Sequence, residues 1–180
     1  MHDRRKAREV ALQVLYELDM AGTDVQEAVS LFWSHFTAPE EVFEPFWDYF
    51  DNPEDARKQK SKSFAVSSEA RLFSILLIEG AWLNRHEIDR VISDCSEHWS
   101  ISRMSKVDRS ILRMAVYELL YCDDIPPKVT LNEAIDLGKT YGSENSGSFI
   151  NGILDALYVK LQQTGKKPDK LGMKDGEKHE

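Results

Sequence analysis

Apolar residues recur along this chain at intervals of three and four, the spacing that lines one face of an α-helix. From Arg4 onward, Ala7, Val10, Ala11, Val14, Leu15 and Leu18 trace one apolar stripe that ends near Gly22. A second helix is predicted from Asp24 to about Phe36, with Val25, Ala28, Val29, Phe32 and Phe36 facing inward. Leu72–Leu83 and Glu87–Trp99 give two more. Ser105 followed by Asp108 approximates a capping box for a long helix, KVDRSILRMAVYELLYC, in which Val107, Ile111, Met114, Ala115 and Leu119 share a face. Pro126 and Pro127 end it, because proline has no N–H to continue the hydrogen-bond ladder. The helix TLNEAIDLGKTY follows, with Thr130 and Glu133 as its capping box. A last helix runs to about Gln163, and Ile150, Ile153, Leu154, Leu157 and Leu161 form its buried stripe. No period-two alternation of useful length is present. The predicted fold class is all-α, with about seven helices and short antiparallel connections in the C-terminal half.

Two stretches depart from the helical pattern. PEEVFEPFWDYFDNPEDARKQKSKS is aromatic and acidic, is broken by Pro39, Pro45 and Pro53, and then turns basic. It is expected to form a short helix followed by a mobile loop. The tail from residue 164, rich in Lys, Asp and Gly, is expected to be disordered. The remaining length suits one domain, or two small subdomains sharing a core. The apolar run Leu72–Leu83 is interrupted by Ser74, Glu79 and Gly80, so no membrane span is expected. MHDRRKAR runs straight into an amphipathic helix and lacks the apolar core of a signal peptide. Cys95 and Cys122 lie too far apart in sequence for a metal or redox pair, which points to a reducing, cytoplasmic location.

Charge changes the picture because it is unevenly spread. The net charge is −8, yet residues 1–8 carry Arg4, Arg5, Lys6 and Arg8 against Asp3 alone. Residues 9–56 then hold twelve acids and no Lys or Arg. A basic start on an acidic protein is compatible with a local anion-binding patch, and equally with a solvated helix start.

Candidate chemistry is thin. Gly142 and Gly147 in GSENSGSFINGIL have the spacing of a phosphate loop, but Ser148 and Phe149 stand where the Lys and Ser/Thr belong, and a helix precedes it instead of a strand. His86-Glu87 has no second His four residues on, so the zinc-helix motif is incomplete. Asp94, Cys95, Glu97 and His98 make half a metal site at best. No Ser or Cys has a His that sequence places as its base. No enzyme, cofactor, metal or small-molecule substrate is expected.

Three blocks together resemble one family: RRKAREVALQVLYELD, KVDRSILRMAVYELLY and IPPKVTLNEAIDLGKTYGSENSGSFINGILD. Their order and spacing are similar to those of the NusB family of bacterial transcription antitermination factors, over residues 4–23 and about 72–158. The resemblance implies an all-α fold of two helical bundles, here about 1–70 and about 71–163, joined by an acidic and aromatic connection of about 34–64 that is longer than usual for the family. It also implies binding of boxA-type RNA in ribosomal RNA leaders. The partners would be the ribosomal protein NusE, as a heterodimer, and the RNA polymerase antitermination complex. The same fold opens some RNA cytosine methyltransferases, but the glycine-rich cofactor domain is missing and methyl transfer is not expected. The other reading is a helical adaptor without RNA contact, docking through acidic residues 9–56.

A reader of single-stranded RNA needs cations for phosphates and flat side chains for bases. Arg4, Arg5 and Arg8 match the family's arginine-rich start, and Lys106, Arg109 and Arg113 are candidates on the long helix, where a solvated face is the alternative. Asn145 and Phe149 are candidates in the opening of the last helix. On an ideal helix Phe149 lies about 40° outside the buried stripe, so it either stacks a base or plugs the core edge. Ser146 or Ser148 is expected to cap that helix. The family pattern points to Tyr16 and Asp108 for the protein partner. Tyr16 is otherwise a core-edge aromatic, and Asp108, at the expected exposed start of the long helix, is otherwise a cap. Ser148 stands where a Lys is common in the family, and Asn145 where an acid is.

Overall fold

The computed structural model describes residues 2–34, 66–96 and 99–164. Among these residues there are seven α-helices and no strand: α1 (His2–Ala21), α2 (Val25–Ser34), α3 (Ser68–Leu83), α4 (Arg85–Cys95), α5 (Lys106–Tyr121), α6 (Pro127–Tyr141) and α7 (Ser146–Thr164). A single 3-10 turn, Ile101–Arg103, lies between α4 and α5. The all-α expectation is met. The expected short helix and loop in the 34–64 connection, Phe36 and the tail beyond residue 164 lie outside the described residues.

Local chemistry sets most helix ends. Gly22 takes φ +65°, a left-handed conformation that suits glycine, and closes α1 with its N–H on the Leu18 carbonyl at 2.9 Å. The Asp24 carboxylate accepts from the N–H groups of Gln26 and Glu27 and so starts α2. Ser67 caps α3 by accepting from the N–H of Ala70, which puts the start of that helix four residues before the expected Leu72. Ser105 caps α5 through the N–H of Asp108 at 3.0 Å, as its spacing predicts.

Three further boundaries differ from expectation. Helix α4 stops at Cys95, so Trp99 is not helical, and Glu97 and His98 lie outside the described residues. Helix α6 begins at Pro127, three residues before Thr130. The fixed φ of proline suits the first helical position, where its missing N–H costs nothing, so Pro126-Pro127 both ends one helix and starts the next. Thr130 is then inside the helix and does not cap it. Its hydroxyl instead donates to Glu118. Neither serine of the last turn caps α7 as expected: the Ser146 hydroxyl turns back to accept from the Ser143 N–H, and Ser148 is exposed. The Asn145 carbonyl takes the first bond of α7, from the Phe149 N–H at 3.0 Å.

Helix α5 is the axis of the molecule. It is packed by α1, α3, α4, α6 and α7, and every residue from Ser110 to Glu118 is buried. The expected one-sided stripe therefore understates it: Ile111, Met114 and Ala115 are buried, but so are Leu112, Val116 and Tyr117, while Val107 and Leu119 are only half-buried. A Cβ on Gly80 would run into the Tyr117 ring, so glycine there sets how closely α3 approaches α5. One hydrophobic core joins Val10 and Leu15 of α1 to Ile150 and Leu154 of α7, and the boundary expected near residue 70 falls inside α3.

Candidate nucleic-acid interface

Arginines one turn apart on α1 meet different surroundings. Arg4 is exposed and pairs with Asp124 at 2.6 Å, its guanidinium 5.1 Å from the centre of the Phe73 ring. That arginine holds the Asp124 carboxyl below the usual carboxylate range. Arg5 is similarly open, with Glu9 and Asp136 each at 3.7 Å. Arg8 is only 3% exposed and makes a two-pronged bond to Glu118, at 2.8 and 2.7 Å. Glu118 also accepts from Thr130, and Glu133 lies 4.0 Å from Arg8. The expectation that Arg8 meets phosphate does not fit this position, because both prongs of its guanidinium are spent inside the protein.

The arginines of α5 are likewise turned inward. Arg109 donates twice to Asp19 and once to the Ile101 carbonyl at 3.1 Å. Arg113 grips Asp89 at 2.8 and 2.7 Å and reaches Asp19 at 3.0 Å. Burial raises the Asp19 carboxyl, but the hydrogen bonds from Arg109 and Arg113 outweigh it and hold it below the usual range. Neither arginine is the solvated cation that a helix-surface reading predicts. Lys106 stands at the helix start with its ammonium on the Met20 sulfur at 2.6 Å.

Around the α6–α7 turn the expected residues come together. The Ser143 N–H and hydroxyl meet the Ser146 hydroxyl at 2.8 and 3.1 Å. Gly142 is needed because a Cβ there would meet Ser146 and, at 2.7 Å, the Gly138 carbonyl. At Gly147 a Cβ would stand 2.7 Å from Cγ of Lys139. Both glycines therefore serve close approach of helix ends. Asn145 is exposed, and Phe149 is half-buried with its ring edge-to-face on Trp99, centroids 5.8 Å apart. Phe149 thus touches the core without being enclosed by it.

Lys139 is a functional candidate that sequence reasoning missed. It is exposed on α6, one turn beyond Asp136, and its stem crosses Gly147. Arg5 meets Asp136 from the other side. The basic start of α1 is thereby joined to α6, and α6 to the start of α7 at Gly147, a neighbourhood that no local spacing reveals.

The residues expected to meet a protein partner lie at the opposite end of α1. Tyr16 is half-buried, and Met20 one turn on is exposed. Asp108 is 8% exposed, and its Oδ1 is buried with no hydrogen-bond partner among the described residues. The start of α5 is therefore not exposed at Asp108: the capping turn folds its carboxylate inward. Among the described residues there is no cluster of His, Cys, Asp and Glu fit for a metal, and no helix long and apolar enough to cross a membrane.

Comparison with known proteins gives these observations a family. The profile of the NusB family matches residues 5–159. The transcription antitermination protein NusB of Syntrophus aciditrophicus (strain SB) is 55% identical over 163 residues, covering 91% of this chain and 84% of that protein. Among solved structures, T. maritima NusB superposes with a TM-score of 0.64 at 32% identity, covering 87% of this chain and 91% of that one. A structure of antitermination factors NusB and NusE in complex with dsRNA matches with a TM-score of 0.63 at 28% identity, covering 89% and 98%. With its helices, its motif blocks and nearly its whole described length accounted for in this way, the chain belongs to the NusB family.

Proposed function

We propose that this protein binds boxA-type single-stranded RNA of ribosomal RNA leaders together with ribosomal protein NusE, and so suppresses termination within the RNA polymerase antitermination complex of the cytoplasm. As a member of a family of transcription antitermination proteins, it is not an enzyme. The observation that carries the RNA reading is that Arg5 reaches Asp136 of α6 while Lys139, one turn on, lies over Gly147 at the start of α7, which sets two cations at the surface near the turn that carries Asn145. Magnitudes decide which arginines serve. Exposed ion pairs such as Arg4–Asp124 and Arg5–Asp136 contribute little to stability and exchange readily for a phosphate. The buried Arg8–Glu118 pair does not, since parting it leaves a charge stranded in the core. Direct phosphate contact is therefore assigned to Arg4, Arg5 and Lys139, base contact to Asn145 and Phe149, and support of the surface to Arg8, Arg109 and Arg113. Tyr16 and Asp108 lie on the end of the molecule assigned to NusE, and Lys106, expected to meet RNA, stands at that same end with its ammonium on the Met20 sulfur.

The test is a titration with boxA-like RNA over a range of salt, with and without NusE. Each phosphate contact contributes roughly 0.7 to the log–log salt slope on a single strand, so a double Arg4→Ala, Arg5→Ala variant is expected to flatten the slope by about 1.4. An unchanged slope would confine these arginines to their intramolecular pairs.

A further inference from the structure

We infer that Arg103 is an additional phosphate-binding cation of the RNA face, held beside Phe149 by the indole of Trp99; this rests on the RNA-binding reading above. Trp99 is 48% exposed, an unusual position for a side chain that normally buries most of its large apolar surface. Its ring is in edge-to-face contact with Phe149, and the Arg103 guanidinium sits 5.5 Å from its centre. A cation is thereby fixed two rings away from the proposed base-stacking position. The segment Gly142–Phe149 contains Glu144 and no Lys or Arg. A nucleotide stacked on Phe149 must find its counter-charge outside that segment, and Arg103 is the cation that the Trp99 ring brings toward it.

The guanidinium is also available. Arg4, Arg5, Arg8, Arg109 and Arg113 each face a carboxylate, whereas Arg103 has no carboxylate partner among the described residues. Stacking uses the face of the guanidinium and leaves its N–H edge free to donate to phosphate oxygens. The shelf is held in place from several sides. The Trp99 carbonyl accepts from the Ser96 hydroxyl at 2.8 Å, and Arg109 donates to the Ile101 carbonyl at 3.1 Å. Met104, which closes the 3-10 turn, is buried. Arg103 therefore needs little ordering when a strand arrives, and Trp99 acts as a positioning residue.

The experiment is a fluorescence-anisotropy titration of the full chain with boxA-like single-stranded RNA between about 50 and 200 mM salt. Arg103→Gln is expected to lower the log–log slope by about 0.7, so that its deficit against wild type shrinks roughly 2.6-fold across that fourfold salt range. Arg103→Lys should keep the slope, because the charge remains. Trp99→Ala should lose a similar slope, with no further loss when combined with Arg103→Gln, while Trp99→Phe keeps it. Thermal melting of Arg103→Gln should match wild type, since the side chain is exposed. If wild type itself does not bind RNA, the proposed function fails and this inference with it. If wild type binds and the Arg4, Arg5 variant loses slope while Arg103→Gln does not, this inference alone is overturned. It is equally overturned if Arg103→Gln leaves RNA binding intact and weakens only NusE binding, which would assign the shelf to the protein interface.

Discussion

Arg4 and Arg8 lie one helical turn apart with the same residue type, yet the side chain of one is 48% exposed and that of the other 4%. The difference is decided by Glu118, which reaches Arg8 from the middle of the central helix. Removing one partner of a buried ion pair strands the other charge, and costs about 3–5 kcal/mol. Arg8→Met is therefore expected to lower folding stability by an amount of that order in urea denaturation, with the salt slope of RNA binding unchanged. Full stability together with a flattened slope would return Arg8 to the phosphate face. Phe149 poses the reverse question. Being half-buried, with one contact to Trp99, it should respond to Phe149→Ala with less than the 3–5 kcal/mol of an enclosed phenylalanine. If it stacks a base, RNA binding should weaken by about 1–3 kcal/mol. Loss of melting temperature without loss of RNA affinity would make it a core residue.

At the scale of elements, the central helix is held to its neighbours by charge as well as by apolar packing. Asp19 of α1 receives Arg109 and Arg113 of α5, and Arg113 also holds Asp89 of α4. The Asp19 carboxyl titrates below its unfolded value of about 3.9. A carboxyl depressed in the folded state contributes stability above its unfolded value and loses it as pH falls through the folded one. Asp19→Asn should thus be destabilised against wild type at pH 7, and the gap should close as pH falls below about 4. Chemical denaturation at pH 7 and pH 3 reads both; an equal gap at the two values would mean that ionisation of the Asp19 carboxyl contributes no net stability. The same scale explains the misplaced start of α6. Thr130 and Glu133 have capping-box spacing, but Pro127 is preorganised for a first turn and takes that place.

For the whole molecule, the two ends proposed to bind follow the axis of α1: basic and assigned to RNA where it starts, joined to α5 through Asp19–Arg109 and Met20–Lys106 where it finishes. This arrangement alters what a charge reversal at Asp108 reports. Its carboxylate is nearly enclosed, so Asp108→Lys should lower the melting temperature by burying an unpaired ammonium, whatever its effect on NusE. Asp108→Asn keeps the shape and removes the charge. Weaker heterodimer formation by Asp108→Asn, at an unchanged melting temperature in calorimetry, is the expected result. A lower melting temperature with full NusE affinity would leave Asp108 only its place in the capping turn.

The sequence by itself determined the all-α class, the number of helices among the described residues, the stripes of α1 and α7, the Ser105 cap and the three motif blocks. All of these depend on spacings within a turn or two, where geometry is fixed by the helix alone. Tertiary structure decided which charges face water. Arg8 and Glu118 are 110 positions apart, and Arg113 and Asp19 are 94 apart, so no local pattern brings them together. Periodicity puts Trp99 on a helix, yet α4 stops at Cys95 and Trp99 lies against Phe149. No local pattern singles out Lys139 or Arg103, for the same reason. A side chain's partners are set by which helices pack, and an exposed cation differs from a buried one only once the neighbouring element is in place.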